Sequence, residues 1–382
     1  MRLLIITNIL TPYRIPLFEE ISRNVDSLLV VLMAGSHEDR SWDLDDYEFD
    51  THFLKGLHFR PKSHLSSLHF NLGVSKVIND YSPDVILSGG NTLANLEGFI
   101  FSKIKRIPYI GWGELILNDV AASSWIRRIV RYFMVRNSIA NIASSSESKK
   151  AFEYYGSSEA DTHVSIMPVD VKKFASRAES FYQSQEYNRL SARFEGPILL
   201  SVGRLIDIKG YYEMFDAFRA LKSVYKGACL LILGDGVQSE TYKKYVEDQS
   251  IDDIHFLGFV QSDDLFKYFC VANVFIFHTL RDPFGAVLSE AMACRTLCVS
   301  SIYASSTKEF VEDGVTGFSI DPRNTIEFVD KIEKALELNE IELEVVKDLA
   351  QNKVMKHDFS FAAKEIVDIC AKYSRNPSVV VE

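Results

Sequence analysis

The stretch Arg281-Asp282-Pro283-Phe284-Gly285-Ala286-Val287-Leu288-Ser289-Glu290-Ala291-Met292-Ala293 has the residue types and spacing best suited to chemistry in this sequence. Asp at a cap position followed by Pro in the first turn predicts a helix start with outward-facing backbone N–H groups. Such a terminus binds a phosphate or a sugar hydroxyl. Glu290 is the only charged residue in the apolar helical segment that follows, and a buried carboxylate requires hydrogen-bond partners. Ribose hydroxyls would supply them. Taken singly, Asp282 also reads as a plain helix cap, and Glu290 as half of an internal ion pair.

Upstream, Leu199-Leu200-Ser201-Val202-Gly203-Arg204-Leu205 puts an arginine just past a strand end, and Lys209-Gly210 follows at a helix start. A guanidinium and an ammonium converging at a sheet edge suit a pyrophosphate, through forked and point-charge contacts respectively. The plain alternative is two solvated cations in a loop. Leu233-Gly234-Asp235-Gly236 and Leu257-Gly258-Phe259-Val260 are further strand-to-turn junctions, weak signals alone because Asp-Gly turns end many strands.

In order and spacing these motifs resemble the retaining GT-B glycosyltransferases called family 4. Strand-Gly-Arg-Leu is followed by Lys-Gly, Gly-Asp-Gly, Leu-Gly-Phe-Val, an acid-Pro-Phe-Gly start with Glu290 eight residues after Asp282, and Glu312-Asp313-Gly314-Val315-Thr316-Gly317-Phe318. The resemblance covers residues 197 to about 322. It implies that Arg204 and Lys209 hold the donor pyrophosphate. Asp282 with the amides of Phe284 and Gly285 would hold the transferred sugar, Glu290 the ribose, and Gly203, Gly234, Gly236, Gly258 and Val260 would line the donor site. The first acid of the family is usually Glu and is here the shorter Asp282, and the loop Ser301 to Thr307 lacks the glycines common in relatives.

The first half resembles the family more loosely. Thr7-Asn8-Ile9-Leu10-Thr11-Pro12-Tyr13-Arg14 looks like the start of relatives that make bacterial surface polysaccharides. Tyr155-Gly156 and Met167-Pro168-Val169-Asp170 look like the approach to an interdomain hinge. Where many relatives carry an active-site histidine, this chain has Gly111-Trp112-Gly113-Glu114, so Asn8, Arg14 and Glu114 are the acceptor-side candidates. Arg14 reads equally as a loop arginine paired with Glu19 or Glu20. Trp125 to Met134 joins arginines with aromatic and aliphatic residues at helical spacing. It predicts either a helix on an anionic membrane or one packed on the sheet with its arginines in water.

These residues need elements to position them. Short apolar runs alternate with amphipathic stretches, the pattern of parallel strands covered by helices. Leu3 to Thr7, Ser27 to Met33, Asp84 to Ser88, Tyr109 to Gly111, Ile139 to Ala143 and His163 to Met167 read as strands, with helices over Pro16 to Arg23, Leu65 to Tyr81, Thr92 to Lys103 and Trp125 to Asn137. The polar stretch from Ser176 to Gly196 reads as a helical linker or exposed arm. The alternation then restarts with strands at Ile198 to Val202, Cys229 to Leu233, Ile254 to Leu257, Ala272 to His278, Thr296 to Ser300 and Gly317 to Ile320.

The fold class expected is α/β with GT-B architecture: two doubly wound Rossmann-like domains facing across a cleft. The expected domains are 1–175 for the acceptor, a linker at 176–196, 197–360 for the donor, and 361–382 as a C-terminal helix and tail packing back on the first domain, frayed from Asn376 to Glu382.

Hydrophobic residues are 47% and charged residues 25% of the chain, a globular profile. The formal charge of -10 argues against a nucleic-acid partner. Residues 1–190 carry 21 basic and 22 acidic side chains and residues 191–382 carry 21 and 30, so the first half, at -1, is better placed than the second, at -9, to approach an anionic surface. Five cysteines without a C-x-x-C pair read as reduced packing residues of a cytosolic protein. The apolar start Met1 to Thr7 reads as a buried first strand rather than a signal peptide.

The function expected is transfer of a sugar from a nucleotide-diphosphate sugar, UDP- or GDP-linked, to a saccharide or lipid-linked acceptor in surface polysaccharide synthesis. No cofactor or metal is expected, because no Asp-x-Asp signature stands where it would serve the donor. Retention of anomeric configuration follows from the resemblance. The competing readings are a nucleotide-sugar epimerase or hydrolase of the same architecture and a non-catalytic scaffold.

Overall fold

The computed structural model describes residues 1–11, 13–34, 47–59, 68–117 and 124–375. Pro12 of the N-terminal motif, Leu65 to Ser67 of the expected helix and the tail from Asn376 lie outside the described residues. The chain forms two compact units, residues 1–168 with 359–382, and residues 169–358.

The first unit runs β1 (Arg2–Thr7), α1 (Ile15–Arg23), β2 (Ser27–Leu32), β3 (Asp50–Phe53), β4 (Gly56–Phe59), β5 (Leu68–Asn71), α2 (Val74–Tyr81), β6 (Val85–Gly89), α3 (Leu93–Lys105), β7 (Tyr109–Gly113), α4 (Trp125–Asn137), β8 (Ala140–Ala143), α5 (Ser146–Tyr154) and β9 (Thr162–Val164). The main sheet has the order β3-β2-β1-β6-β7-β8-β9, and its neighbouring strands are parallel. Because side chains alternate across a strand, Leu3 and Ile5 enter the core on one face and Leu4 and Ile6 the core on the other. Both faces are covered, which is why β1 reads as an unbroken apolar run.

The expected helix at Leu65 to Tyr81 is corrected: Leu68–Asn71 pairs antiparallel with Gly56–Phe59, and the helix begins only at Val74. Gly73, at φ 109, makes the turn between the two.

The second unit runs α6 (Val171–Tyr182), α7 (Gln185–Ser191), β10 (Ile198–Val202), a 3-10 turn (Asp207–Lys209), α8 (Tyr211–Leu221), β11 (Cys229–Leu233), α9 (Ser239–Asp248), β12 (Ile254–Gly258), α10 (Ser262–Val271), β13 (Val274–Phe277), α11 (Ala286–Ala293), β14 (Cys298–Ser301), α12 (Ser305–Phe310), β15 (Phe318–Ile320), α13 (Thr325–Leu336) and α14 (Glu340–Val354). Its parallel sheet has the order β12-β11-β10-β13-β14-β15. The order reverses beside β10 here and beside β1 in the first unit, the points where open α/β sheets hold ligands beyond the strands' carboxyl ends.

The segment 176–196 is helical but is not an arm. Val171, Phe174, Ala178 and Phe181 of α6 are buried, with Phe174 against Phe269 and Phe181 against Phe266, and Tyr182 donates to the Cys294 carbonyl at 3.0 Å. Helices α6 and α7 are thus part of the second unit's body. The last helix, α15 (Phe359–Tyr373), belongs to the first unit: Ala362, Ala363, Ile366 and Cys370 share a core with Leu17, Phe18 and Ile21 of α1. All five cysteines are free and buried.

Candidate functional site

In the second unit the loops leaving β10, β11 and β12 are laced by backbone hydrogen bonds. Gly203 N–H donates to the Leu233 carbonyl at 2.9 Å, Leu205 N–H to that of Asp235 at 3.0 Å, and Gly234 N–H to that of Gly258 at 2.8 Å. The glycines permit this approach: a Cβ on Gly234 would lie 1.9 Å from the Gly203 carbonyl oxygen, and one on Gly236 would lie 2.4 Å from that of Leu205. Arg204 stands exposed on this layer and Val260 is half-buried just beyond β12.

The chain then turns through Asp207–Lys209 onto the end of β13. Leu280 N–H donates to the Ile208 carbonyl at 2.9 Å, and the Thr279 hydroxyl donates to the same oxygen at 3.1 Å. This docking carries the Lys209 ammonium to 2.5 Å from Asp282 Oδ2, with both side chains only 16% exposed. The other carboxylate oxygen, Oδ1, accepts from Phe284 N–H at 3.2 Å. Gly285 packs on Phe277 with φ 90, and buried Phe284 meets Phe310 edge-on at 6.3 Å.

Asp282 therefore does not cap a helix, as the sequence suggests. The helix begins at Ala286 behind the left-handed Gly285, and Asp282 instead holds the loop and the ammonium. Pro283 fixes φ without starting the helix, because Asp282 is already tied by its own N–H to the Tyr303 carbonyl at 3.2 Å.

Glu290 lies on α11, half-buried. Among the described residues its carboxylate makes neither an ion pair nor a hydrogen bond, so the internal ion pair allowed by the sequence is absent. Burial pushes this carboxyl up to about 7. A group in that state gains from a ligand that donates hydroxyls to it.

Sequence reasoning missed His278. It is buried at the end of β13, with Nε2 2.7 Å from Ser201 Oγ and its ring edge-on to Tyr211 at 4.8 Å. Burial lowers its pKa to about 4, so it is neutral. The Tyr211 hydroxyl donates to the Gly203 carbonyl at 3.1 Å, so this buried trio braces the loop bearing Arg204 from below. His278 is far from Ser201 and Tyr211 in sequence, and only the placement of the three at the ends of β10 and β13 and the start of α8 reveals them.

In the first unit, Arg14 pairs with neither Glu19 nor Glu20. Its guanidinium donates to Thr7 Oγ1 at 2.8 Å, reaches Glu114 Oε1 at 3.4 Å and lies 5.1 Å from the Trp112 ring centre. Two of the acceptor-side candidates are thereby brought together. Asn8 is exposed at the end of β1, its carbonyl accepting from Met33 and Ala34 N–H. All three line a cavity of about 420 Å³ at the carboxyl edge of β1, β6 and β7.

Trp125, Ile126 and Ile129 of α4 are 70%, 56% and 58% exposed, while Met134 and Val135 are buried. The helix is anchored by its last turns and leaves an apolar, arginine-flanked face open, rather than packing along its length. No helix among the described residues is long and apolar enough to cross a membrane.

Two Rossmann-like units, each built on a parallel sheet, are the components of the GT-B fold. Residues 183–353 match the sequence model of the family described as glycosyl transferases group 1. The chain is similar in fold to the crystal structure of Anabaena Alr3699/HepE in complex with UDP and glucose. The TM-score is 0.74 at 22% identity, over 97% of this chain and 100% of that one.

Among curated proteins it is similar to the lipopolysaccharide core biosynthesis glycosyltransferase LpsE of Rhizobium meliloti, 27% identical over 40% of this chain and 43% of the relative. It is also similar to the lipopolysaccharide 1,2-N-acetylglucosaminetransferase of Salmonella typhimurium, 27% identical over 42% of this chain and 45% of the relative. The matches thus span less than half the length of these curated relatives.

Proposed function

We propose that the protein transfers a sugar from a nucleotide-diphosphate sugar to the hydroxyl of a saccharide or lipid-linked acceptor, in the assembly of a surface polysaccharide. The observation that carries the reading is the arrangement around α11. A cation and a carboxylate are locked together at its approach, and a carboxylate without a protein partner follows one turn into the helix. Lys209 and Arg204 would offset the charge growing on the departing diphosphate, a preorganised effect of roughly 3 kcal/mol per good donor. Asp282 and the Gly285 amide would hold the transferred sugar, the Phe284 N–H being already given to Asp282 Oδ1, and Glu290 would hold the ribose.

UDP is the first nucleotide to test, because the solved Anabaena relative holds UDP and glucose. Membership of family 4, retention of configuration and independence of metal are part of the proposal and rest on the motif resemblance. An anomer-resolved product spectrum and turnover in EDTA test the last two.

The discriminating measurement is a thermal-shift screen against UDP, GDP, ADP and their sugars. At 100 times its dissociation constant a ligand adds about 2.7 kcal/mol of stability. One nucleotide should raise the melting temperature of the wild type and not that of Arg204→Ala. Equal responses of the two proteins would remove Arg204 from the site.

The open face of α4 supports a cytoplasmic protein resting on an anionic membrane. Arg127, Arg128 and Arg136 are exposed beside Trp125, Ile126 and Ile129, and α4 carries no acidic residue. Each arginine near such a surface contributes about 1 kcal/mol. The protein should float with phosphatidylglycerol vesicles and not with neutral ones, and Trp125→Ser/Ile129→Ser should stay with the soluble fraction. Flotation of the double variant equal to wild type refutes this role for α4.

A further inference from the structure

We infer that His278 is a positioning residue that fixes Arg204 and Lys209 relative to each other, so that the two cations meet one diphosphate together. That they hold a diphosphate rests on the glycosyl-transfer reading; their placement by His278 does not.

The loop after β10 and the turn bearing Lys209 both come down on His278 at the end of β13. Its Nε2 lies 2.7 Å from Ser201 Oγ, three residues before Arg204, and both side chains are buried. Its ring meets Tyr211 edge-on at 4.8 Å, and the Tyr211 hydroxyl donates to the carbonyl of Gly203, the neighbour of Arg204.

The backbone around the same residue fixes the other cation. The His278 carbonyl packs so closely on Gly210, the residue after Lys209, that a Cβ there would lie 2.4 Å from the oxygen. On the other flank of Lys209, the Ile208 carbonyl accepts from the Thr279 hydroxyl and from Leu280 N–H, the two residues that follow the histidine. The ammonium lies 5.6 Å from the ring centre of Phe277, the residue before it.

The chemistry of an imidazole suits this place. A buried Ser201 hydroxyl needs a hydrogen-bond partner, which an apolar side chain would not supply. Burial, with a smaller push from the Lys209 ammonium, lowers His278 to about 4, so the ring holds the loops without adding a third positive charge beside Lys209. Such support has a catalytic consequence, since a misplacement of about 1 Å costs on the order of a hundredfold in rate.

The test compares two amides. Asparagine at 278 carries its amide to the place of Nδ1 and leaves Ser201 short of a partner, whereas glutamine reaches the place of Nε2. Wild type, His278→Asn, His278→Gln, Lys209→Met and His278→Asn/Lys209→Met are titrated with UDP by ligand-observed NMR, and amide exchange is followed without ligand. His278→Asn should weaken UDP at least fivefold, and His278→Gln should recover most of the loss. In the Lys209→Met background the asparagine should cost less than it does in the wild type, because one of the two cations it places is gone. Exchange at Leu205 and Leu280 should quicken in His278→Asn and return toward the wild-type rate in His278→Gln. If His278→Asn does not fold, Ser201→Ala removes the same hydrogen bond from the other side and replaces it in the titration, the cycle and the exchange.

A loss below fivefold in folded His278→Asn, a glutamine variant no better than the asparagine one, or an equal cost in the Lys209→Met background overturns the proposal. If the wild type binds no nucleotide, the donor reading fails and exchange alone decides. Rates at Leu205 and Leu280 that His278→Asn leaves unchanged then overturn the placement, and faster rates support it.

Discussion

Glu290→Gln should melt higher than the wild type at pH 8 and bind the nucleotide more weakly at the same pH. In the unfolded chain this carboxyl ionises near 4.5; in the folded protein, burial without a partner raises it to about 7. Between those values the folded protein keeps a proton that the unfolded chain has lost, so stability falls as pH rises through the window, and the full penalty is present above 7. The gap corresponds to on the order of 3 kcal/mol, or roughly 5 to 10 °C in a unit of this size. Glutamine carries no such penalty, so the two melting curves should separate at pH 8 and converge toward pH 4.5.

Binding should change the other way. An ionised carboxylate accepting ribose hydroxyls contributes about 1.5 to 3 kcal/mol per hydrogen bond. The variant should therefore lose on the order of tenfold to a hundredfold in nucleotide affinity, and wild-type affinity should itself rise through pH 7. Melting curves that coincide at pH 8 would mean that Glu290 ionises freely. Unchanged affinity would remove it from the ribose.

The alternation of apolar runs and amphipathic stretches places all six strands of the second sheet and all but β3 of the first, because parallel strands buried on two faces leave a continuous run, as in Leu3 to Thr7 or Cys229 to Leu233, whereas the mostly exposed edge strand Asp50–Phe53 has none. The short hairpin of Gly56–Phe59 and Leu68–Asn71 has no such run; exposed Leu57 and Phe70 give it neither a buried face nor a clear period. The packing of the second unit's first helix is hidden in the sequence for a related reason. Polar residues dominate 176–196, yet Val171, Phe174, Ala178 and Phe181 keep a helical spacing that buries one side.

At the site, residue types were legible and contacts were not. The sequence shows that Lys209 and Asp282 are present, but the 2.5 Å pair between them depends on the turn after β10 docking on the end of β13. Arg14 is a similar case. Sequence proximity favoured Glu19 or Glu20, whereas the parallel order β1-β6-β7 brings the ends of β1 and β7 near enough for Glu114 to take the contact. The bracing by His278 and Ser201 is likewise a product of strand adjacency, since β10 and β13 are neighbours in the sheet and distant in the chain.

The Lys209–Asp282 pair yields the second large effect. A diphosphate approaching Lys209 competes with a carboxylate that already holds the ammonium. Lys209→Met leaves that carboxylate uncompensated beside the incoming phosphates; at an effective dielectric near 20, two unit charges about 4 Å apart repel by about 4 kcal/mol. UDP affinity should fall on the order of a hundredfold to a thousandfold. Asp282→Asn keeps an oxygen to accept from Phe284 N–H, preserving the loop, and releases the ammonium, so UDP should bind several-fold more tightly while sugar transfer slows for want of the carboxylate. The double variant should recover at least tenfold of the affinity lost in Lys209→Met, since residues in direct contact do not act additively. Titration of the four proteins with UDP reads the cycle directly. If the double variant binds UDP no better than Lys209→Met, Asp282 does not face the phosphates and acts only to hold the loop.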